Sequence, residues 1–215
     1  MTEQRITSRK NPLLQQVKKL LSSRKAREEA GLFAADGVKL LAEAVRWYPG
    51  LDTVILSDGV EANVPESVRL FRVPEDVMAS ISPMESPQGT LFLCRLPERK
   101  AYVPQPGCLL LDGIQDPGNL GTILRTADAL DIPVTLLEGC ADPYSPKTVR
   151  ASMGAVFRPQ PVKADWAEVK AACAEAQIPV AVTALSLVTD IVPCADVGRG
   201  PDVDIGVHVP HPLQL

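Results

Sequence analysis

Residues 108–185 alternate strand-like and helix-like segments, and this alternation restricts the fold more than any other feature of the chain. Cys108–Ile114 is a continuous apolar run of strand length, as expected of a strand covered on both faces. A loop of Gly, Pro and Asn leads into a helix at about Leu120–Leu130, and Val134–Leu137 is the next strand. Pro146–Val156 reads as a helix and Arg158–Val162 as a short extended piece. Asp165 caps a helix carrying Trp166, Val169, Ala172, Cys173 and Ala176, and Pro179–Leu185 forms a further strand. The pattern predicts an α/β fold with a parallel sheet covered by helices on both faces.

The preceding part is a smaller α/β unit. Leu13, Leu14, Val17, Leu20 and Leu21 recur at helical spacing, with Pro12 at the start and Gly31 beyond the end, which predicts one helix over 12–30. A second helix follows Asp36, read as its N-cap. Strands are expected at Thr53–Leu56, Val68–Val73 and Thr90–Leu96, with a helix from about Pro74 between the last two. Three prolines in Pro97–Pro106 mark a linker. The expected domains are therefore 1–99 and 106–215.

With 46% hydrophobic residues the 215-residue chain can bury a core, and no apolar run reaches the roughly 18 residues of a membrane span. The charged N-terminus lacks the apolar centre of a signal peptide. Five widely spaced cysteines without a Cys-x-x-Cys pair argue against a disulfide framework or a zinc site. They fit buried thiols in a reducing cytoplasm. Net charge is −4, yet residues 1–30 hold eight Lys/Arg against three acids, a local +5, while 101–215 hold seven bases and thirteen acids, a local −6. A basic arm on an acidic body suits an RNA grip supplied by one end of the chain, although a solvated helix face explains it equally well.

In open α/β sheets ligands sit at the carboxyl ends of the strands. The loop Asp112–Thr122 lies there. Its glycines and Asn119, just before a helix, offer backbone N–H groups to an anion, but it is neither a Walker A loop nor a Gly-x-Gly-x-x-Gly turn. Arg125 stands four residues after Gly121 and shares its helix face. Its planar fork suits a phosphate clamp, and a surface pair with Asp128 or Asp131 is the competing reading. In Asp142–Ala155, Ser145 before Pro146 starts a helix, and Ala151, Ser152, Gly154 and Ala155 permit a close backbone approach.

Two of these segments carry a specific resemblance. Asp116-Pro117-x-Asn119-x-Gly121-Thr122-Ile123-x-Arg125-Thr126-Ala127 resembles the first signature of the SpoU/TrmH RNA methyltransferases, and Asp142-x-Tyr144-x-Pro146-Lys147-x-x-Arg150-Ala151-Ser152-Met153-Gly154-Ala155 is similar to the second. Ile6-x-Ser8-x-x-Asn11-Pro12, Arg27 and Phe33-x-x-x-Gly37 resemble the family's substrate-binding domain, with Asp36 where glutamate is usual. The resemblance implies a ribosomal-protein L30e-like RNA-binding domain, followed by a SPOUT methyltransferase domain with a trefoil knot, working as a cytoplasmic homodimer on ribosomal or transfer RNA. It implies ribose 2′-O-methylation from S-adenosylmethionine, with Arg125 as the catalytic residue and Asn119 its partner. Guanidinium stays charged at neutral pH, so orienting the hydroxyl and stabilising alkoxide is the more economical role for Arg125. Thr183, Ala184, Leu185 and Gly206 are the cofactor candidates. Arg9, Lys10, Arg24, Lys25, Arg27 and Arg150 are the RNA-binding candidates. No metal is expected, since His208 and His211 lack a third ligand.

Val203, Ile205, Val207 and Val209 alternate as a strand, and Ile205-Gly206 matches the opening of the family's third signature. The Glu-Gly turn and the Ser-Leu-Asn segment do not follow it before Leu215. The expectation drawn is a truncated or divergent end after Gly206, through a frameshift, a natural fragment or a functional tail, with an incomplete knot and impaired cofactor binding. The alternative function is a non-catalytic RNA-binding or dimerisation module derived from such an enzyme.

Overall fold

The computed structural model describes residues 4–158, 160–184, 187–192 and 206–208, with side chains described up to residue 180. Two sheets organise it. The first contains β1 (Gln4–Arg5), β2 (Leu32–Asp36), β3 (Leu51–Ser57), β4 (Arg69–Val73) and β5 (Thr90–Arg95) in the order β1-β4-β3-β5-β2. β4 runs parallel to β1 and β3, while β5 is antiparallel to β3 and β2. The period of two sorts its side chains between two cores. Ala34, Ile55, Leu91 and Leu93 face a cluster with Leu14, Val17 and Leu20 of α1 (Pro12–Ser22) and Val77, Met78 and Ile81 of α4 (Glu75–Ile81). Phe33, Ala35, Val54, Leu56, Phe92 and Cys94 face the opposite way, toward Leu41 and Ala44 of α3 (Val38–Trp47).

Two local expectations change here. The helix over 12–30 is two, α1 and α2 (Arg24–Ala30), because Ser23 is extended and its hydroxyl accepts from the Ala26 amide. Asp36 does not cap α3. Gly37 holds that position at φ +107, and the Asp36 carboxylate instead accepts from Arg150 at 2.8 Å. The strand Leu32–Asp36 was not anticipated from periodicity. It is buried on both faces and too short to show a period of its own.

The second sheet contains β6 (Leu109–Leu111), β7 (Val134–Leu136), β8 (Val162–Lys163), β9 (Val180–Ala184), β10 (Leu187–Val192) and β11 (Gly206–His208), in the order β10-β9-β11-β6-β7-β8. β6, β7 and β8 are mutually parallel as expected. The sheet as a whole is mixed, which corrects the all-parallel expectation. β11 runs antiparallel to both β6 and β9, and β10 antiparallel to β9. Only two residues separate β9 from β10 in sequence, a spacing that permits a hairpin but no parallel crossover. Apart from Gly206–His208, the expected altered ending after Gly206, and with it the knot, lies outside the described residues.

One face of this sheet packs on α7 (Trp166–Glu175), through Leu110, Val169, Cys173 and Val180. Asp165 and Glu168 form a reciprocal capping box at its start. The other face packs on α5 (Pro117–Ala129) through Leu111, Leu120, Leu124 and Leu136, and it shares one continuous core with the first sheet. Phe33 and Tyr48 meet Tyr144 and Phe157 with centroids 4.9–6.3 Å apart. The helix expected over Pro146–Val156 is shorter, α6 (Pro146–Ala151), followed by a 3-10 turn at Ala155–Phe157. Its break has a cause. Gly154, at φ +91, lies so close to α3 that a Cβ would come within 2.9 Å of Glu43.

Candidate active site

The carboxyl end of β6 opens into residues 112–116 and then α5. Pro117 starts the helix and Asp116 caps it, its carboxylate accepting from the Asn119 amide at 2.8 Å and from Lys147 at 2.9 Å. Lys147 holds the Asp116 carboxyl below the usual carboxylate range. The N-terminal N–H groups expected to meet an anion therefore meet the chain's own carboxylate, so this helix start is not an anion site. The adjoining loop after β7 is zipped to the first. The Gly113 amide donates to the Glu138 carbonyl, the Ala141 amide to the Ile114 carbonyl and Cys140 Sγ to the Leu111 carbonyl. Gly139, at φ +77, lies so near that a Cβ would sit 3.3 Å from Gly113 Cα.

Asn119 is exposed and lines a cavity of about 570 Å3 with Gly113, Ile114, Gln115, Asp116, Thr122 and Ile123. Arg125 is exposed two turns along α5. The competing reading, a surface pair with Asp128 or Asp131, is not formed among the described residues. Arg158 holds the Asp128 carboxylate at 2.5 Å and also engages Glu43. Among the described arginines Arg125 is the one with no hydrogen bond, ion pair or ring contact. Gly121 fixes the helix beneath it. A Cβ there would meet Ala151 Cβ at 2.5 Å, the Thr148 carbonyl at 2.7 Å and the Ser152 amide at 2.9 Å. Small residues bring α5 and α6 into backbone contact, as the sequence suggested for Ala151 and Ser152.

Thr183 and Ala184 lie at the carboxyl end of β9, and Gly206 pairs with both Thr183 and Leu111. Leu185 lies outside the described residues. The topology thus brings Thr183 and Gly206 to the same sheet edge as the Gly113 loop. A nucleoside-bearing cofactor fits the described part of this edge. Gly113 needs φ +69, and a Cβ built there would project into open space, so the chain leaves room beside backbone polar groups. Among the described residues no group of three His, Cys, Asp or Glu stands close enough to hold a metal ion. Cys94, Cys108 and Cys173 are buried thiols outside any disulfide, and burial pushes Cys94 and Cys108 up.

The basic candidates separate. Lys10 is exposed. Arg9, Arg24 and Lys25 are exposed and paired with Asp76, Glu28 and Glu29. Arg150 is partly exposed and tied to Asp36. Arg27 is only 4% exposed, bonded to Asp142 at 2.7 Å and to the Leu20 carbonyl at 2.6 Å. It joins the two parts of the chain from a buried position, a placement that helical periodicity could not reveal because its partner lies 115 residues away. Sequence reasoning also passed over Thr122 and the Asp116–Lys147 link. An acid directly before Pro117 was the available signal for the link.

Residues 107–195 match the SpoU rRNA Methylase family, and residues 11–91 match the MRM3-like substrate binding domain. The chain is 33% identical over 156 residues to the 23S rRNA (guanosine(2553)-2′-O)-methyltransferase RlmP of Bacillus subtilis, covering 71% of this chain and 62% of that protein. It therefore spans less than two thirds of the length of that relative. An rRNA methyltransferase from Sinorhizobium meliloti superposes with a TM-score of 0.68 at 31% identity, over 80% of this chain and 69% of the other. AviRb of Streptomyces viridochromogenes, a SpoU methyltransferase in complex with AdoMet, superposes with a TM-score of 0.64 at 26% identity, over 78% and 68%. Among the described residues no helix is long and apolar enough to cross a membrane. The mixed α/β architecture, the site on α5 and these matches agree: the chain belongs to the SpoU rRNA methylase family.

Proposed function

We propose that this protein is an RNA ribose 2′-O-methyltransferase that uses S-adenosylmethionine, with Arg125 and Asn119 acting on the ribose. The observation that carries the reading is Arg125, an exposed guanidinium left unpaired among the described residues while Arg158 takes the neighbouring Asp128. An arginine kept free on a helix packed backbone to backbone is available to clamp a phosphate in a fixed place. S-adenosylmethionine, when bound, supplies an electrophilic methyl group. Thr183, Ala184 and Gly206 would hold it from the sheet edge, with Leu185 completing the sequence-based set.

The chain's own contribution is positioning. Arg125 fixes the phosphate beside the target ribose, so that its 2′-hydroxyl stays in place, and offers charge to the oxygen as its proton passes to solvent water. Asn119, at the cavity mouth, hydrogen-bonds the ribose and restricts its rotation. Ribosomal RNA is the substrate class, supported by the names of the relatives. The first sheet and its helices grip that RNA as an L30e-like unit, through Arg9, Lys10, Arg24, Lys25 and Arg150, whose exposure supports the role. A cytoplasmic homodimer completes the proposal.

Transfer of a radiolabelled methyl group to ribosomal RNA, followed by mapping of nuclease-resistant 2′-O-methyl sites, tests it. Transfer that survives undiminished in Arg125→Ala would refute the assignment. Salt-sensitive RNA binding without cofactor binding would instead favour the non-catalytic module.

A further inference from the structure

Arg158 emerges from a fully buried turn. Ala155, Val156 and Phe157 are 2% exposed or less, and Gly154 before them lies against Glu43 of α3. From there the Arg158 side chain spreads between two helices. Its Nη1 donates to Asp128 of α5, and its Nη2 donates to Glu43 of α3. The guanidinium also lies 5.9 Å from the centre of the Trp47 ring. A planar fork can serve two carboxylates at once, which a lysine in this place could not do with the same geometry. A tie between α3 and α5 is one consequence. A second concerns Arg125.

On α5 the residues three or four positions from Arg125 are Gly121, Thr122, Asp128 and Ala129. Asp128 is thus the one charged group at the spacing that makes helix residues neighbours. Asp131 lies beyond the helix end, six residues on. The Asp128 side chain is only 16% exposed. A carboxylate so covered is costly without a cation beside it. If Arg158 were removed, Arg125 would be the cation one turn away. With Arg158 in place, the Arg125 guanidinium has no hydrogen bond or ion pair among the described residues.

We propose that Arg158 is a positioning residue for Arg125: it sequesters the Asp128 carboxylate and so keeps the Arg125 guanidinium open to an RNA phosphate. The benefit to methyl transfer rests on the reading of Arg125 as a phosphate clamp, whereas the sequestration does not. Glu43 contributes from the other side. It lies in the part of the chain that matches a substrate binding domain, and it holds the second arm of the fork.

The rate at which phenylglyoxal modifies Arg125 in the full chain, located by mass spectrometry, tests the proposal directly. The set comprises the parent, Asp128→Asn, Arg158→Met and the double variant Arg158→Met/Asp128→Asn. Asp128→Asn alone should leave the rate near that of the parent, because its carboxylate is already held. Arg158→Met should slow modification about twofold, the protection given by an exposed helical ion pair. The double variant should regain the parent's rate, which the loss of a mere tie between helices would not produce. Methyl transfer, measured alongside, should fall in Arg158→Met and recover in the double variant. An unchanged rate in Arg158→Met, or a slowing that Asp128→Asn does not relieve, overturns the proposal. So does faster modification in Asp128→Asn alone, a variant that retains the bond to Glu43 and does not depend on Arg158→Met folding. The protection pattern without any matching change in methyl transfer would leave the sequestration standing while the enzymatic role of Arg125 fails.

Discussion

Gly121→Ala sets two physical effects against each other with opposite signs. In a helix interior alanine is favoured over glycine by about 1 kcal/mol, so local propensity alone predicts a more stable protein. Gly121 lies in the middle of α5, where that gain applies in full. Packing predicts the reverse. The new methyl would stand 2.5 Å from Ala151 Cβ, 2.7 Å from the Thr148 carbonyl and 2.9 Å from the Ser152 amide. Two of these three are backbone atoms and none is the end of a flexible chain, so relief requires α5 and α6 to part. Overpacking of this kind costs about 1–3 kcal/mol, and contact with backbone puts it at the upper end. The net expectation is a loss of about 1–2 kcal/mol after the propensity gain is deducted. Urea denaturation, extrapolated linearly to water, measures the difference. A midpoint that is unchanged or raised would refute the close helix approach. Methyl transfer should fall as well, since Arg125 rides on the displaced helix.

Arg125→Ala should leave stability within about 0.5 kcal/mol of the parent, because the side chain is exposed and makes no hydrogen bond, ion pair or ring contact among the described residues; thermal melts beside methylation assays separate the two effects, and a large stability loss would show that Arg125 is structural. Arg27→Met strands the Asp142 carboxylate, whose side chain is 10% exposed, and should cost about 3–5 kcal/mol in denaturant titrations. A loss below 1 kcal/mol, typical of surface pairs, would argue against that buried link. Stability should fall on acidification below about pH 4. Burial pushes the Asp52 carboxyl up, but Arg69, Thr53 and Arg95 together outweigh it and hold it below its ordinary value, and Arg5 and Arg9 lower Asp58 and Asp76. A carboxyl depressed in the folded state contributes stability above its unfolded pKa and loses it as pH falls through the folded one. Melting temperatures between pH 6 and 3 should therefore drop less steeply in Asp52→Asn, and an identical slope would remove Asp52 from the account.

Much of this protein was legible without coordinates. Apolar spacing located β3, β5, β6, β7, α5 and α7, since a buried strand or an amphipathic helix must repeat its apolar residues at a fixed period. The runs Asp116–Ala127 and Asp142–Ala155 carried the resemblance to the family, because each signature is a short stretch of consecutive residues. What the sequence could not determine was long-range partnership. Arg27 and Arg24 look alike on one basic helix, yet Arg27 is buried against Asp142 and Arg24 faces solvent. Asp36 resembles a helix cap but binds Arg150, 114 residues further along. The direction of β10 and β11 and the core shared by the two sheets also depend on which distant segments meet. Local periodicity fixes which face of an element is apolar, and only tertiary packing decides what covers that face and which charge is left unpaired. Arg125 has no partner among the described residues, while Arg158, 30 residues beyond Asp128, takes that carboxylate.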